Sequence, residues 1–244
     1  MELLLLSSSR TPAGYFTDYL PAIRAFTSGV RHAIFVPFAA VTLPWPEYAK
    51  RVSEATGLTL HSIDELDTAD LIVVGGGNTF QLLRESRQRN LLPAMKKRVL
   101  DQKAKYLGWS AGANLACPTI KTTNDMPIAD PGGLDALGLV PFQINPHYVS
   151  FSLPGHHGET RDERLAEFAR ANPELPVIAL PEGDWVQVSG ASVELRGTHD
   201  AKWFAGEKAP ITLRPISSYA AGTWSAAASS NAAYEDKPLD SIRG

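Results

Sequence analysis

Cysteine is almost absent from this sequence, and its scarcity excludes two common ways of stabilising a fold. Cys117 is the only cysteine among the 244 residues, so the chain cannot form an internal disulfide or a zinc centre built from several cysteines. A protein without disulfides is typical of a reducing compartment, and we therefore expect a cytoplasmic location.

Long apolar runs and an excess of basic residues are also missing. The apolar start, residues 3–6, is too short for the core of a signal peptide, and no run approaches the ~20 apolar residues that a membrane-spanning helix needs. The formal net charge is −3, which gives no basic surface for nucleic acid or anionic lipid. We therefore expect that neither nucleic acid nor a membrane is a partner.

What the sequence does contain is an alternation of short apolar runs with longer helical patterns. The apolar runs predict buried strands at residues 3–6, 33–38, 71–74, 105–109 and 177–180. Helical periodicity between them favours helices at residues 47–56, 79–89 and 92–102. This order predicts an α/β fold, with a mostly parallel sheet and helices on both of its faces. In such folds ligands bind beyond the carboxyl ends of the strands.

The pattern changes after about residue 184. Short runs separated by glycine and aspartate predict β-hairpins at one edge of the sheet, at residues 185–189, 191–196, 202–204 and 210–213. From residue 217 onward alanine, serine and glycine dominate. We therefore predict a single α/β domain over residues 1–216 and a flexible C-terminal extension over residues 217–244.

A candidate nucleophile lies in the segment Gly108-Trp109-Ser110-Ala111-Gly112, which fits the G-x-S-x-G pattern. The segment follows a predicted strand and opens a helical stretch at residues 111–116. This is the strand–turn–helix context of a nucleophile elbow, in which a sharp turn exposes the serine hydroxyl at the carboxyl edge of the sheet. The alternative is a chance match in a turn that is rich in glycine and alanine.

A nucleophilic serine needs a general base. Among the six histidines, placement favours His147, because it follows the apolar segment 139–145 and so lies near the carboxyl end of a predicted strand. His156 and His157, in a loop close behind, are the reserve candidates.

The base must in turn be held by an acid. Glu182 follows the predicted strand at residues 177–180, whereas Asp125 lies in a polar loop after the nucleophile helix. Either carboxylate could instead make a capping contact within its own loop, and the pattern does not separate them.

A second glycine-rich strand end, Gly75-Gly76-Gly77-Asn78-Thr79, follows the predicted strand at residues 71–74. Glycines at such a position let the backbone approach a ligand and present N–H groups, as one wall of an oxyanion hole requires. A phosphate loop and a plain tight turn are the alternatives. The phosphate loop is the weaker of the two, since neither G-x-G-x-x-G nor Gly-Lys-Ser/Thr is present.

Several long strings resemble one known family. Residues 75–83 (GGGNTFQLL), 108–115 (GWSAGANL), 122–127 (TTNDMP) and 143–147 (QINPH) resemble the peptidase E family of alpha-aspartyl dipeptidases, which is related to cyanophycinase. The resemblance includes residues 1–7 and 180–183 and extends over nearly all of residues 1 to about 205. It implies a fold similar to that of class I glutamine amidotransferases, with serine in place of the nucleophilic cysteine.

The resemblance also implies an activity and a set of site residues. It implies hydrolysis of Asp-X dipeptides without a metal or another cofactor, so small Asp-X peptides are the expected partners. It implies a triad of Ser110, His147 and Glu182, with Asp125 as the other position to which the acid role has been assigned. Arg161 matches the position that binds the aspartate side chain of the substrate. The remaining site residues are Asn78 for substrate binding and, for the oxyanion hole, Gly76 or Gly77 together with Ala111.

The sequence around Arg161 is compatible with this role. It predicts a helix over residues 159–171, and helical spacing puts Arg161 on the same inward face as Leu165. The alternative is an exposed salt bridge between Arg161 and Glu159 or Glu163.

Two other functions could use the same parts. One is a cyanophycinase-like exopeptidase that hydrolyses β-aspartyl links, and the other is a non-catalytic protein that binds aspartyl peptides. For the oligomeric state, a monomer and a homodimer both remain open.

Overall fold

A mostly parallel sheet of seven strands forms the centre of the structure, a computed structural model that describes residues 1–150, 155 and 157–216. Its strands in spatial order are β11 (Ser192–Arg196), β10 (Trp185–Ser189), β1 (Glu2–Leu6), β7 (Lys105–Trp109), β6 (Leu71–Val74), β4 (Ala33–Val36) and β5 (Leu60–His61). Strands β1, β7, β6, β4 and β5 run parallel, and β10 pairs antiparallel with both β1 and β11. The predicted α/β fold class and its hairpin edge are therefore confirmed.

Helices cover both faces of this sheet, as the sequence predicts. They are α1 (Leu20–Phe26), α2 (Trp45–Thr56), α3 (Thr79–Gln88), α4 (Leu91–Leu100) and α5 (Ala111–Ala116), with 3₁₀ turns at Thr17–Tyr19 and Ile63–Thr68. A sixth helix, α6 (Arg161–Ala171), packs against the second sheet described next. Successive residues of a strand point to opposite faces, so the fully buried Leu3 and Leu5 pack with α3, α4 and α5. Leu4 and Leu6 are equally buried and pack with α1 and α2 on the other face.

A second sheet of four strands holds part of the chain that the sequence analysis assigned to the central sheet. Its order is β13 (Ile211–Leu213), β12 (Ala201–Phe204), β9 (Val177–Pro181) and β8 (Gln143–Tyr148), with β8 and β9 parallel and the other pairs antiparallel. A two-stranded ribbon, β2 (Arg10–Thr11) and β3 (Gly14–Tyr15), follows β1. The prediction that all four C-terminal runs lie at one edge of one sheet is wrong for β12 and β13.

The two faces of β9 explain why this strand belongs to a separate sheet. Ile178 and Leu180 join the core that α3, α4 and α5 share with the central sheet. Val177 and Ala179 face the other way and pack with Leu165 of α6. Both faces of this strand are therefore covered without hydrogen bonding to the central sheet, and an apolar run alone does not reveal which sheet it joins.

Two further predictions concern extent and location. The flexible extension at residues 217–244 and the reserve base His156 lie outside the described residues, and the single domain over residues 1–216 stays a prediction. Among the helices of the described ranges, none is long and apolar enough to cross a membrane.

Candidate active site

Ser110 occupies a sharp turn between β7 and α5. Its backbone has φ 51° and ψ −111°, a conformation that is costly for a residue with a side chain. The flanking glycines make the turn possible, because a Cβ at Gly112 would lie 2.2 Å from the Val74 carbonyl oxygen and one at Gly108 would lie 2.6 Å from the Gly112 oxygen. The predicted elbow is present, and strain of this kind is characteristic of functional sites.

His147 makes a hydrogen bond to the Ser110 hydroxyl. Its Nε2 lies 2.8 Å from Ser110 Oγ, and its Nδ1 lies 2.5 Å from Glu182 Oε1. His147 belongs to β8 and Glu182 directly follows β9, so these parallel neighbours bring the two side chains to one edge of the second sheet. Both side chains are partly open to solvent, with exposures of 38% for His147 and 51% for Glu182.

Ser7 fixes the backbone of His147, and the sequence analysis did not identify it. Ser7 is fully buried just after β1. Its hydroxyl accepts a hydrogen bond from the His147 backbone N–H at 2.8 Å and donates one to the Leu180 carbonyl at 2.8 Å. Nearby, the Tyr19 hydroxyl accepts a hydrogen bond from the Gly183 N–H at 2.8 Å, which anchors the turn that carries Glu182. No local pattern marks these contacts, since their partners are more than 100 residues away.

Asp125, the competing acid, has a different set of partners. Its Oδ2 accepts hydrogen bonds from the Thr79 N–H at 2.7 Å, the Thr79 hydroxyl at 2.6 Å and the Thr123 hydroxyl at 3.0 Å. Asp125 therefore holds the first turn of α3 against the loop after α5. The carboxylate that contacts His147 is that of Glu182.

Asn78 is engaged in the same region. Its Oδ1 accepts the Gln81 N–H at 3.0 Å and so caps α3, while its Nδ2 donates to the Met126 carbonyl at 2.9 Å. These contacts give Asn78 a structural role, and its role in substrate binding stays a prediction.

The glycine-rich turn lies directly against the serine. A Cβ at Gly76 would lie 2.7 Å from the Trp109 ring and 3.2 Å from Ser110 Cβ. Gly77 has φ 135°, and a Cβ there would lie 2.3 Å from the Ala39 carbonyl oxygen. In the described ranges, no hydrogen bond uses the backbone N–H of Gly76, Gly77 or Ala111. These groups are available to a ligand.

Ser110 opens onto a cleft of about 530 Å³. The cleft is lined by Ser8, Ser9, Arg10, Tyr15, Leu43, Tyr48, Arg51, Gly76, Gly77, Trp109, Ser110, Asp125, His147 and Glu182. The chain's one thiol is not a competing nucleophile, because Cys117 is fully buried and that burial raises its pKa to about 12. His157, a reserve base, is exposed.

Arg161 is the first residue of α6 and is not among the residues that line the cleft at Ser110. Its Nη1 donates to Asn124 Oδ1 at 2.6 Å and to Asn145 Oδ1 at 3.1 Å. Burial lowers the pKa of Arg161, and the charge of Arg164 acts in the same direction. Within the described residues Arg161 makes no salt bridge. It is a partly buried cation that lacks a carboxylate partner there.

Arg161 forms a salt bridge with neither Glu159 nor Glu163, the two partners of the alternative prediction. Glu163 forms a capping box with Thr160, and Glu159 pairs with Arg164 at 3.7 Å. Leu165 is buried, so the predicted inward face of this helix is confirmed.

A group that could hold a metal lies away from the cleft. Within the described ranges, His32, His61 and Glu65 bring their ligand atoms within 4.8 Å of one another. Their separations are 3.3 Å for His32 Nε2 to Glu65 Oε2 and 3.8 Å for His61 Nδ1 to Glu65 Oε2. None of the three lines the cleft at Ser110. No local pattern predicts this group, because residue 32 is distant from the other two along the chain.

Comparison with known proteins gives matches over most of the chain. Residues 3–196 match the sequence profile of peptidase family S51. A protein named Peptidase E from Salmonella typhimurium (strain LT2) is 50% identical over 221 residues, which cover 86% of this chain and 96% of that protein. Peptidase E from Salmonella arizonae is 49% identical with the same coverage.

Two solved structures share the fold. A crystal structure of a peptidase E protein from Listeria monocytogenes EGD-e has a TM-score of 0.58 and 23% sequence identity to this chain. The match covers 81% of this chain and 98% of the Listeria chain. A peptidase from an acI-B1 Actinobacterium has a TM-score of 0.55 and 12% identity, and it covers 88% of this chain and 94% of its own. At these identities the likeness concerns the fold alone.

Proposed function

Because the chain belongs to peptidase family S51 and is a serine dipeptidase, we propose that it hydrolyses dipeptides whose first residue is aspartate, using Ser110, His147 and Glu182. The observation that carries the proposal is the continuous hydrogen-bonded path from the Ser110 hydroxyl through both His147 nitrogens to Glu182. This is the geometry of a nucleophile, a base and an orienting acid.

The reaction is acyl transfer to serine. Ser110 Oγ attacks the carbonyl of the N-terminal aspartate, and His147 Nε2 takes the hydroxyl proton. The same nitrogen then gives that proton to the leaving amine, and water hydrolyses the acyl-serine by the reverse path. Glu182 accepts the Nδ1–H of His147, which fixes the tautomer and stabilises the imidazolium as it forms.

Backbone N–H groups would stabilise the negative charge of the tetrahedral intermediate by hydrogen bonding. Gly76 lies against Ser110, and Ala111 follows the serine at the start of α5. Their N–H groups, or that of Gly77 in place of Gly76, would form the oxyanion hole. The close contacts at Gly76 and Gly77 support this role, because a side chain at either position would displace the wall of the site.

Arg161 is the residue that we assign to the aspartate side chain. A partly buried cation favours an anionic ligand, and a guanidinium binds a carboxylate through two parallel hydrogen bonds. The side-chain oxygens of Asn124 and Asn145 both accept hydrogen bonds from the same Arg161 atom, Nη1. Asn124 in turn donates a hydrogen bond from its Nδ2 to the Pro146 carbonyl at 2.7 Å. Arg161 is thus linked to the residue that precedes His147.

A panel of dipeptides tests the proposal. Asp-X should be hydrolysed in preference to Asn-X, Glu-X and β-Asp-X, and a serine-directed covalent probe should label Ser110. Preference for β-Asp-X would favour the cyanophycinase-like alternative, and binding without turnover or labelling would favour the non-catalytic one. A cytoplasmic location and a monomeric or homodimeric state belong to the same proposal, and cell fractionation and sedimentation test them.

A further inference from the structure

Two arginines line the cleft at Ser110 without a role in the mechanism above. Arg10 and Arg51 both face this cleft, and both also line an adjoining cavity of about 610 Å³. Tyr15 is the only other residue that the two cavities share. The two arginines therefore lie on the wall that separates the cleft at Ser110 from the outer cavity.

The position of Arg51 follows from how α2 packs on the glycine-rich turn. The Tyr48 hydroxyl donates a hydrogen bond to the Gly76 carbonyl at 3.0 Å, and a Cβ at Gly75 would lie 2.8 Å from the Tyr48 ring. Residues three apart on a helix share a face, so Arg51 projects on the same side as Tyr48. The contact that holds α2 against the glycine-rich turn thus also places Arg51 at the rim of the cleft.

Arg10 approaches from the ribbon that follows β1. It pairs with Tyr15 across β2 and β3, and its carbonyl accepts a hydrogen bond from the Ser8 hydroxyl at 2.8 Å. Burial raises the pKa of Tyr15, while hydrogen bonding to Ser9 and the charges of Arg10 and Arg51 oppose that rise. The charges of both guanidinium groups therefore lower the pKa of the same hydroxyl, that of Tyr15.

Two arginines and two carboxylates line the cleft, and within the described residues neither carboxylate forms a salt bridge with Arg10 or Arg51. Of its two carboxylates, Asp125 is bonded to Thr79 and Glu182 to His147. Arg51 has 54% of its side chain exposed and pairs with Glu47 four residues earlier on α2, and exposed pairs of this kind are weak. Within the described residues Arg10 makes no salt bridge.

A dipeptide substrate carries a matching charge. Its C-terminal carboxylate is attached to the Cα that follows the cleaved nitrogen, whereas a longer peptide has a neutral amide at the same place. We propose that Arg51, assisted by Arg10, binds this C-terminal carboxylate and so restricts the enzyme to dipeptides. The inference rests on the proposed function and deepens it by naming the group that defines the end of the substrate.

The test compares a dipeptide with its C-terminal amide. We would measure kcat/KM for Asp-Leu, Asp-Leu-amide and Asn-Leu with the wild-type protein and with Arg51→Gln, Arg51→Lys and Arg10→Gln. Lys50→Gln is the matched control, because Lys50 neighbours Arg51 on α2 with 74% of its side chain exposed. Thermal unfolding of each variant separates a loss of binding from a loss of folding.

The expected result is a loss that depends on the substrate's charge. Arg51→Gln should lower kcat/KM for Asp-Leu by about 10- to 100-fold, as for a charged hydrogen bond, and leave that for Asp-Leu-amide within about 2-fold. Arg51→Lys should recover part of the loss, Arg10→Gln should show a smaller loss, and Lys50→Gln should show none.

Other results would overturn the inference. An equal loss on Asp-Leu and Asp-Leu-amide, or no loss on either, would show that Arg51 does not bind the C-terminal carboxylate. A collapse of the Asp-Leu to Asn-Leu ratio would instead assign Arg51 to the aspartate side chain. If the wild-type protein prefers a different first residue, the proposed specificity fails, and the acid-to-amide ratio on the preferred dipeptide still decides the role of Arg51.

Discussion

Replacing each of the two candidate acids by its amide separates their roles. Glu182→Gln removes the charge that faces His147 Nδ1 at 2.5 Å, whereas Asp125→Asn alters a carboxylate bonded to Thr79 and Thr123. The first change acts on the base, and the second acts on the start of α3. We therefore expect Glu182→Gln to lower kcat and Asp125→Asn to act mainly on stability.

The structure sets the size of the Glu182 effect. A charge-assisted hydrogen bond contributes about 1.5–3 kcal/mol, which corresponds to about 10- to 150-fold in rate. Removal of a buried triad acid lowers kcat by about 10⁴-fold, but half of the Glu182 side chain is exposed, and water screens its charge. We expect a loss of about 100-fold in kcat, with little change in the thermal midpoint.

The Asp125 effect has a different signature. An asparagine retains one oxygen for the Thr79 N–H but loses the charge that strengthens this cap, at a cost of about 1 kcal/mol in stability. We expect kcat to fall by less than about 10-fold and the thermal midpoint to fall by a few degrees.

Steady-state hydrolysis of Asp-Leu and thermal unfolding of the same samples measure both effects. Glu159→Gln is the matched control, because Glu159 is exposed and pairs only weakly with Arg164. A larger loss of kcat with Asp125→Asn than with Glu182→Gln would refute the assignment of the acid.

Three further predictions follow from the same site. Ser110→Ala should lower turnover by about 10³-fold or more and leave the thermal midpoint almost unchanged, and near-normal activity would refute the nucleophile. EDTA should leave hydrolysis unchanged, since none of the residues of the described metal-capable group lines the cleft, and a loss restored by added metal would contradict this. Arg161→Ala should lower kcat/KM for Asp-Leu, by an amount equal to a loss of about 2–4 kcal/mol in transition-state stabilisation, and should lower that for Asn-Leu by far less. Arg164→Ala is the control. An unchanged Asp-Leu to Asn-Leu ratio would show that another residue binds the aspartate.

The parts of the fold that were predictable are those that local chemistry determines. The bounds of β6 and β7 match the predicted runs at residues 71–74 and 105–109, because continuous apolar runs flanked by glycine or charge are typical of buried parallel strands. The elbow at Ser110 was predictable for the same reason, since its glycines are required by contacts within the turn and with the neighbouring strand.

The parts that were not predictable depend on partners far away in the sequence. The short helix α1 begins with Leu20-Pro21 and was not predicted, and its burial comes from Leu4, Leu6 and residues of α2. The choice between Glu182 and Asp125 was open because both lie in loops, where either carboxylate could make a local capping contact instead. Only the parallel pairing of β8 with β9 distinguishes them, since it brings Glu182 next to His147.

The proposed catalytic geometry therefore depends on the contact between the two sheets. Ser110 directly follows a strand of the central sheet, whereas His147 lies in the second sheet and Glu182 directly follows a strand of it. Two buried side chains cross the boundary: the Ser7 hydroxyl bonds the His147 N–H and the Leu180 carbonyl, and Asn114 of α5 donates to the Ile144 carbonyl at 2.6 Å.

These hydrogen bonds set the position of each sheet relative to the other. Ser7 directly follows β1, which pairs with β7, so the strand next to Ser110 also leads into the residue that holds the His147 backbone. Asn114 is one turn after Ser110 on α5, so the helix that starts at the nucleophile is tied to the strand that carries His147. A displacement of about 1 Å in a reacting group can cost about 100-fold in rate, so the proposed mechanism depends on contacts, such as these hydrogen bonds, that keep Ser110 and His147 2.8 Å apart.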